Sequence, residues 1–198
     1  SKYNQIDQKK VIDGGASSRC ELLFKKFLNK KKYNEILDYG SSNGAMLMPF
    51  INSNKKLFAT DLKCNLNTKI LESKNFVKFI NIKNFENLEK KFDLITMIHV
   101  LEHLHKPKEI LSIITKKLKK NGIIFIQIPN FLFNPFDLCV YDHTIHFDRD
   151  SLNRLANACD LKILSIDDKL MNGEFSLILK KTKKTKKTKK NKNIKKIN

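Results

Sequence analysis

Short apolar runs alternate with longer amphipathic segments along most of this chain, and their spacing predicts the fold. Each run is almost continuously hydrophobic, which is typical of strands buried on both faces of a parallel sheet. The predicted strands cover residues 35–39, 56–61, 76–82, 92–98, 123–128, 161–166 and 175–179. The last two flank a turn containing Asn172 and Gly173, so we expect them to form an antiparallel hairpin at the sheet.

Helical periodicity marks three of the remaining segments. In the first, 17–31, apolar residues recur on one face after two serines suited to the N-cap position. The second, 106–120, begins near a proline and is followed by an Asn-Gly pair that is typical of a helix end. The third covers 149–159. Strands that alternate with helices predict an α/β fold with helices on both faces of the sheet.

The composition is typical of one globular domain without a membrane span. The chain has 198 residues, of which 41% are hydrophobic, and this is enough to bury a sizeable core. No apolar run approaches the ~18 residues of a transmembrane helix, and the N-terminus lacks the apolar segment of a signal peptide. The four cysteines show no C-x-x-C spacing, which argues against a zinc knuckle or a disulfide framework. We therefore expect a cytoplasmic protein with reduced cysteines.

The net charge of +19 is concentrated at the C-terminal end, where eleven lysines and no acidic residue lie between Lys180 and Asn198. This lysine repeat has no apolar face, so we expect residues 181–198 to be a disordered tail. We expect 1–16 to be a flexible arm or lid and 17–180 to be the folded domain. The tail suits weak electrostatic contact with nucleic acid or an anionic membrane. A solvated tail without a specific partner explains the same pattern, because no aromatic residue interrupts the lysines.

The first predicted strand ends in Asp38 and is followed by a small-residue turn from Gly40 to Gly44. We expect residues 45–50 to begin a helix after this turn, so that backbone N–H groups and the helix dipole favour a carboxylate or phosphate. Asp38 adds a negative charge suited to an amino group, and together these features predict an amino-acid-like cofactor. The spacing D-x-G-x-x-x-G is not that of a dinucleotide or Walker loop, and taken alone it is better explained by a plain strand-to-helix turn.

Further motifs occur at matching positions along the chain. Asp61 closes the second strand, Phe92-Asp93-Leu94-Ile95 opens the fourth, and His99-Val100-Leu101-Glu102-His103-Leu104 follows it. With Asn121-Gly122 before an apolar strand, this order resembles the class I S-adenosylmethionine-dependent methyltransferases over about residues 17–179. The resemblance implies a Rossmann-like, doubly wound sheet of seven strands, mostly parallel with an antiparallel last strand, and S-adenosylmethionine as the cofactor.

The same resemblance implies which residues hold that cofactor. Asp38 and the loop from Gly40 to Gly44 hold the methionine part, and Asp61 accepts hydrogen bonds from the ribose hydroxyls. A carboxylate can accept from two adjacent hydroxyls at once, which agrees with this role, although a helix cap explains Asp61 as well. The other implied contacts lie in the loop or at later strand ends: Ser42, which stands where the family often has glycine, Leu62, Asn84, Met97 and His99.

All five histidines lie between residues 99 and 146. The second group, His143 and His146, follows a Phe-rich loop, residues 129–140, after the fifth strand. A methyl acceptor with a hydroxyl or an activated carbon needs a base, and histidine is suited to that role near neutral pH. We predict His143 or His146 as the base or as the residue that orients the acceptor, with His103 as a further candidate. A local cap for His103 and a packing role for His146 are the structural alternatives.

A metal site is a second interpretation of these residues. Glu102 and His103 follow His99 closely, and His146 or His143 supplies a further ligand. This arrangement resembles the terminal 2′-O-methyltransferases of small RNAs, which have Glu where His99 stands.

Three classes of function remain open from the sequence. The first is methyl transfer to the oxygen or carbon of a small molecule such as a sugar, a lipid or a quinone-like acceptor, for which the Phe-rich loop offers apolar walls. The second is an RNA 2′-O-methyltransferase that captures RNA with its lysine tail. The third is a non-catalytic domain that keeps the fold as an interaction surface.

Overall fold

One sheet organises the part of the chain that the computed structural model describes, residues 15–28 and 32–182. Its strands are β1 Glu35–Tyr39, β2 Lys56–Asp61, β3 Phe76–Asn81, β4 Phe92–Ile98, β5 Leu118–Pro129, β6 Leu161–Asp167 and β7 Glu174–Lys181. The strand order is β3-β2-β1-β4-β5-β7-β6. Strands β1 to β5 pair in parallel, whereas β7 is antiparallel to both β5 and β6. The predicted seven-stranded, mostly parallel sheet with a reversed last strand is confirmed.

Helices cover both faces of this sheet. They are α1 Gly15–Phe27, α2 Thr68–Leu71, α3 Pro107–Lys116 and α4 Arg149–Ala158. Buried residues of α1 and α2 pack with apolar side chains from one face of the central strands, and those of α3 and α4 pack with the other face. None of the helices in the described residues is long and apolar enough to cross a membrane.

The segment after the first turn differs from the prediction. Residues 45–47 form turns and Met48–Phe50 forms a short 3-10 helix, so no α-helix begins behind the loop. Pro49 contributes no backbone N–H to a helical ladder, and Phe50 is buried within this short span. The expected helix dipole at the loop is therefore wrong.

The end of α3 and the start of β5 also differ from the prediction. The helix ends at Lys116 and the strand already begins at Leu118, so the Asn-Gly pair lies inside β5. Leu118 is buried and pairs with Phe92 of β4. Pairing and burial therefore outweigh the helical tendency of the lysine-rich sequence around it.

The chain ends lie mostly outside the described residues. Helix α1 begins at Gly15, so the two serines predicted as N-caps lie inside it and the last two residues of the predicted arm belong to the helix. Residues 1–14 of that arm fall outside the described part, as do 183–198 of the predicted tail. Of the tail, Lys181 belongs to β7 and Thr182 donates a hydrogen bond to Asp160.

Candidate active site

Asp38 lies at the carboxyl end of the central strand β1 and is almost completely buried. It pairs in register with Thr96 of β4, and the Thr96 hydroxyl donates a 2.6 Å hydrogen bond to its carboxylate. Burial raises the pKa of Asp38 to about 7, with the Thr96 hydrogen bond opposing this rise and the charge of Asp61 adding to it. A cation beside this carboxylate is therefore favoured.

The loop after β1 uses its backbone donors within the protein. The N–H groups of Gly40 and Ser41 donate to the Thr60 carbonyl at 2.8 and 3.1 Å, and that of Ser42 donates to the Asp61 carboxylate at 2.8 Å. The predicted anion cradle of free N–H groups is therefore wrong at these positions. The Ser41 hydroxyl is buried without a hydrogen-bond partner among the described residues, so its hydrogen-bonding capacity is unused.

Close packing leaves no room for a side chain at either glycine of the loop. A Cβ at Gly40, which has a φ of +73°, would lie 2.4 Å from Cγ2 of Val100. A Cβ at Gly44 would lie 2.3 Å from Cδ1 of Ile70 in α2. The contact with Val100 places the loop directly against the segment that follows β4, so the two motifs singled out in the sequence are neighbours in the fold.

Asp38, the loop from Gly40 to Gly44 and Asp61 together form an acidic cradle. Asp61 lies at its edge, at the end of β2. Its two carboxylate oxygens accept from the backbone N–H groups of Ser42 and Leu62, at 2.8 and 2.6 Å. The next helix begins at Thr68 and is capped by Asn67, so the helix-cap interpretation of Asp61 is wrong. The adjacent Leu62 side chain is 64% exposed.

Two of the expected cofactor contacts differ in their exposure. Asn84 ends a 3-10 helix over Ile82–Asn84 and is exposed. Met97 is fully buried in the core, packed with apolar side chains from the face that α3 and α4 cover. Its side chain therefore does not line the cradle, because side chains alternate along β4 and Thr96 takes the Asp38 side.

His99 follows β4 and lies within a polar network rather than in an open cleft. Its Nδ1 is 3.0 Å from Oε1 of Glu102, and its Nε2 is 3.3 Å from Oε1 of Glu174 and 2.7 Å from Nη2 of Arg19. Arg19 of α1 also contacts Glu174 and donates to Gln127 of β5 at 3.0 Å. This network connects α1 with the ends of three strands.

The backbone and protonation of His99 reflect these contacts. Its φ of 51° lies in the left-handed region, which is uncommon for a residue other than glycine. Burial by itself lowers the pKa of the imidazole, but hydrogen bonds and charges from Glu102 and Glu174 outweigh that effect and raise it to about 9. Contacts of His99 with Arg19 and Glu174, and through Arg19 with Gln127, could not be predicted, because each of these residues is distant from His99 along the chain.

The two histidine segments meet because residues after the Phe-rich loop bond to the backbone of Glu102. The N–H groups of Thr144 and Ile145 both donate to the Glu102 carbonyl, at 2.9 and 3.2 Å. As a result, the rings of His103 and His143 have centroids 4.8 Å apart and an interplanar angle of 74°. The alternative interpretation of His103 as a local cap is wrong, because its Nδ1 lies 2.9 Å from the carbonyl oxygen of Asp142, 39 residues along the chain.

Asp137 of the Phe-rich loop contacts both histidines of the second group, His143 and His146. It was not among the predicted site residues. Its carboxylate is buried, and Oδ1 lies 2.7 Å from Nδ1 of His143. Nε2 of His146 lies 3.0 Å from the carbonyl oxygen of Asp137. An acid six residues before a histidine in a loop is a weak signal, because nothing in the spacing shows that the loop folds back on itself.

The family is shown by comparison with known proteins. A family model described as a methyltransferase domain matches residues 13–166. The chain belongs to this methyltransferase family. The predicted resemblance to the S-adenosylmethionine-dependent class is thereby confirmed at the level of family and fold. A comparison with curated protein sequences gives no match.

Solved methyltransferase structures share this fold at low sequence identity. An S-adenosylmethionine-dependent methyltransferase from Clostridium acetobutylicum has a TM-score of 0.69 at 14% identity, covering 92% of this chain and 100% of its own. The O-methyltransferase NcsB1 from neocarzinostatin biosynthesis, solved with S-adenosylmethionine and 2-hydroxy-5-methyl naphthoic acid, has a TM-score of 0.69 at 13% identity. The match covers 86% of this chain but only 57% of NcsB1.

A third structure is the 1,6-didemethyltoxoflavin-N1-methyltransferase of Burkholderia thailandensis. It was solved with 1,6-didemethyltoxoflavin and S-adenosylhomocysteine, and it has a TM-score of 0.65 at 16% identity. The match covers 87% of this chain and 80% of the other.

Within this methyltransferase domain, two groups of side chains are close enough to hold a metal ion. One is Glu102, His103 and His143, and the other is Asp137, His143 and His146, with the ligand atoms of each group within 4.8 Å of one another. Among the described residues neither group contains His99, so the metal set predicted from His99, Glu102, His103 and His146 is not the one that the fold assembles.

Proposed function

We propose that this chain transfers a methyl group from S-adenosylmethionine to a small-molecule acceptor, at an oxygen or an activated carbon. One observation carries the proposal. The acidic cradle at Gly40 packs directly on Val100, and the segment that Val100 begins continues into Glu102 and His103. His103 lies beside His143 and His146, and these three histidines form the imidazole cluster. Donor and acceptor groups bound on the two sides would therefore meet at the end of β4, which favours transfer through positioning.

The cradle residues suit the cofactor. When bound, S-adenosylmethionine supplies an electrophilic methyl group, whose bond to sulfur breaks with the electron pair remaining on sulfur. Each Asp61 oxygen accepts one backbone N–H and keeps a second lone pair for a ribose hydroxyl. The Asp38 carboxylate stabilises the positive charge of the ligand, and the unpaired Ser41 hydroxyl donates to its carboxylate. Leu62 and Asn84 are exposed beside the cradle and cover the adenine.

The imidazole cluster suits the acceptor. The Asp137 carboxylate accepts a hydrogen bond from Nδ1–H of His143. This leaves the Nε2 lone pair able to take a proton from an acceptor hydroxyl or carbon as the new bond to methyl forms. His146 and His103 orient the acceptor beside it. His103 opens onto a cleft of about 450 Å³ that is also lined by His105, Tyr141 and Thr144.

The Phe-rich loop favours an acceptor with an apolar face over a strongly polar one. The loop and the residue after it offer apolar surface beside the histidines. Four large side chains there are between 61% and 102% exposed: Leu132, Phe133, Phe136 and Tyr141. We therefore place a quinone-like or other aromatic acceptor ahead of a sugar or a lipid. NcsB1 and the toxoflavin enzyme are each solved with an aromatic or heteroaromatic molecule.

An RNA 2′-O-methyltransferase is the second candidate, because the metal-capable groups and the lysine-rich C-terminal sequence both suit a polyanion. In that case the tail makes an electrostatic contact with RNA. A domain that only binds partners is the third candidate, and it requires that the cofactor does not bind.

The test is an acceptor screen that measures S-adenosylhomocysteine release. Hydroxynaphthoates and quinols, nucleotide sugars, lipid acceptors and short RNAs are compared at low and high salt. We expect turnover with the aromatic acceptors, little affected by salt or by removal of residues 183–198. Turnover with RNA alone, lost at high salt and after that truncation, would move the assignment to the second candidate.

A further inference from the structure

Glu102 has a buried carboxylate that is only half satisfied. The residue is 2% exposed, and its Oε1 lies 3.0 Å from Nδ1 of His99. Its Oε2 is buried and has no hydrogen-bond partner among residues 15–28 and 32–182. An unpaired carboxylate oxygen inside a protein is costly, and a bound cation is one of the few groups that removes this cost.

His103 and His143, whose ligand atoms lie within 4.8 Å of the Glu102 carboxylate, are held in a tautomer that ligates metals. Nδ1 of His103 faces the carbonyl oxygen of Asp142 at 2.9 Å, and a carbonyl only accepts, so Nδ1 carries the proton. Nδ1 of His143 faces the Asp137 carboxylate at 2.7 Å and is protonated for the same reason. Each imidazole therefore has its free lone pair on Nε2. A carboxylate or carbonyl behind a histidine is the usual support of a metal ligand.

The alternative group of Asp137, His143 and His146 is explained without an ion. Hydrogen bonds of 2.7 and 3.0 Å already join Asp137 to the two imidazoles. No such bond joins the Glu102 carboxylate to His103 or His143 among the contacts of the described residues, although their ligand atoms lie within 4.8 Å of one another. His103 of this group lines an open cleft, so this ligand is reached from solvent.

We propose that Glu102, His103 and His143 form a binding site for a divalent transition metal of the zinc type, with Asp137 supporting His143 from behind. Two imidazoles and one carboxylate are a ligand set that binds Zn²⁺ or Mn²⁺ and leaves a coordination position open. His103 lines the cleft proposed for the acceptor. With the ion bound, the Nε2 lone pair of His143 is a ligand, and the cation's lowering of the pKa of an acceptor hydroxyl takes the place of proton transfer to His143. Binding of the ion is independent of the proposed methyl transfer, whereas its role toward the acceptor rests on it.

The experiment is a titration of the full, untagged, metal-free chain with ZnCl₂ by calorimetry and with CoCl₂ by visible absorption. We expect one ion per chain at micromolar or lower Kd, with the absorption of a low-coordinate Co²⁺ site. His103→Asn, His143→Asn and Glu102→Gln should each weaken binding at least 100-fold. Asp137→Asn should weaken it about 10- to 100-fold. His105→Asn, which changes a histidine of the same cleft outside the group, should leave the Kd unchanged.

The proposal is overturned if the wild-type chain binds no stoichiometric ion, or if His105→Asn loses binding as much as the ligand variants do. S-adenosylhomocysteine is titrated in parallel into every variant, and retained binding shows that the fold is intact. A chain that binds this ligand but no ion refutes the metal site alone, whereas one that binds the ion but not this ligand refutes the proposed methyl transfer alone. Binding weakened by Asp137→Asn and His146→Asn but not by Glu102→Gln would assign the ion to the other group and contradict the proposal.

Discussion

Asp38 of β1 and Thr96 of β4 face each other across neighbouring strands, and the Thr96 hydroxyl donates a 2.6 Å hydrogen bond to the Asp38 carboxylate. This single donor does not offset the burial of the charge, so the pKa of Asp38 is raised to about 7. The protein therefore maintains a destabilised carboxylate at the point where the proposed cofactor places its positive charge.

The first prediction concerns stability against pH. The pKa of Asp38 rises from 3.8 to about 7 on folding, so the folded chain binds more protons than the unfolded chain between these values. The free energy of unfolding should fall as the pH rises through this window, and Asp38→Asn should remove much of that fall. Urea denaturation at a series of pH values measures this, with Asp150→Asn as the exposed control. Parallel curves for wild type and Asp38→Asn would contradict the raised pKa.

The second prediction separates the two demands made on Gly40. Gly40→Ala forces a left-handed φ on alanine and also a clash with Val100, so we expect a loss of about 2–4 kcal/mol in the free energy of unfolding. Gly173→Ala has a similar φ of +79°, but its nearest contact lies at 3.4 Å, so only the backbone cost of about 1–2 kcal/mol should remain. Equal losses would show that the contact with Val100 is unimportant.

The third prediction concerns the connection of α1 to the sheet. Arg19→Ala removes the donor shared by Gln127 and Glu174 and leaves these largely buried groups without it, at a cost of about 1–3 kcal/mol. Lys26→Ala is the matched control, because its pair with Asp167 is more exposed and worth about 0–1 kcal/mol. Hydrogen exchange should also become faster in α1 of the Arg19 variant. Similar effects of the two substitutions would show that the network does not hold the helix.

The fourth prediction tests the imidazole cluster in catalysis. His143→Asn should lower kcat with the acceptor found in the screen by about 10²- to 10⁴-fold, while the Kd for S-adenosylhomocysteine stays within about twofold. The loss is expected whether His143 accepts a proton or binds the proposed ion, and the metal titration distinguishes these roles. A variant with normal kcat would remove His143 from the active site.

The sequence was sufficient for the sheet because buried parallel strands have a continuous apolar signal, as at Phe92–Ile98. Segments where helical propensity competes with strand pairing were harder to predict. The stretch around Leu118 has helical propensity but joins β5, because its pairing with Phe92 lies 26 residues away in sequence. The four-residue helix Thr68–Leu71 is too short to show periodicity, and it was not predicted.

The residues of the candidate site that belong to one local motif were predicted. The residues that reach the site from distant segments of the chain were not. Asp38 and Asp61 each follow directly from a strand end, although their ligand contacts stay predictions. Arg19 and Glu174 are 155 residues apart, so no local pattern shows that they contact each other beside His99. The contact of Asp137 with His143 depends on the loop between them folding back, and no sequence pattern predicts that fold.

Binding of the cofactor at Asp61 is tested most directly by calorimetric titration of the chain with S-adenosylhomocysteine, repeated on Asp61→Ala and on the exposed control Asp150→Ala. We expect one site with a Kd in the micromolar range, about −8 kcal/mol, for the wild type and the control. Asp61→Ala should bind at least about tenfold more weakly, because the ribose loses its acceptor. A folded wild-type chain that does not bind, or an Asp61 variant that binds as tightly as the wild type, would contradict this expectation.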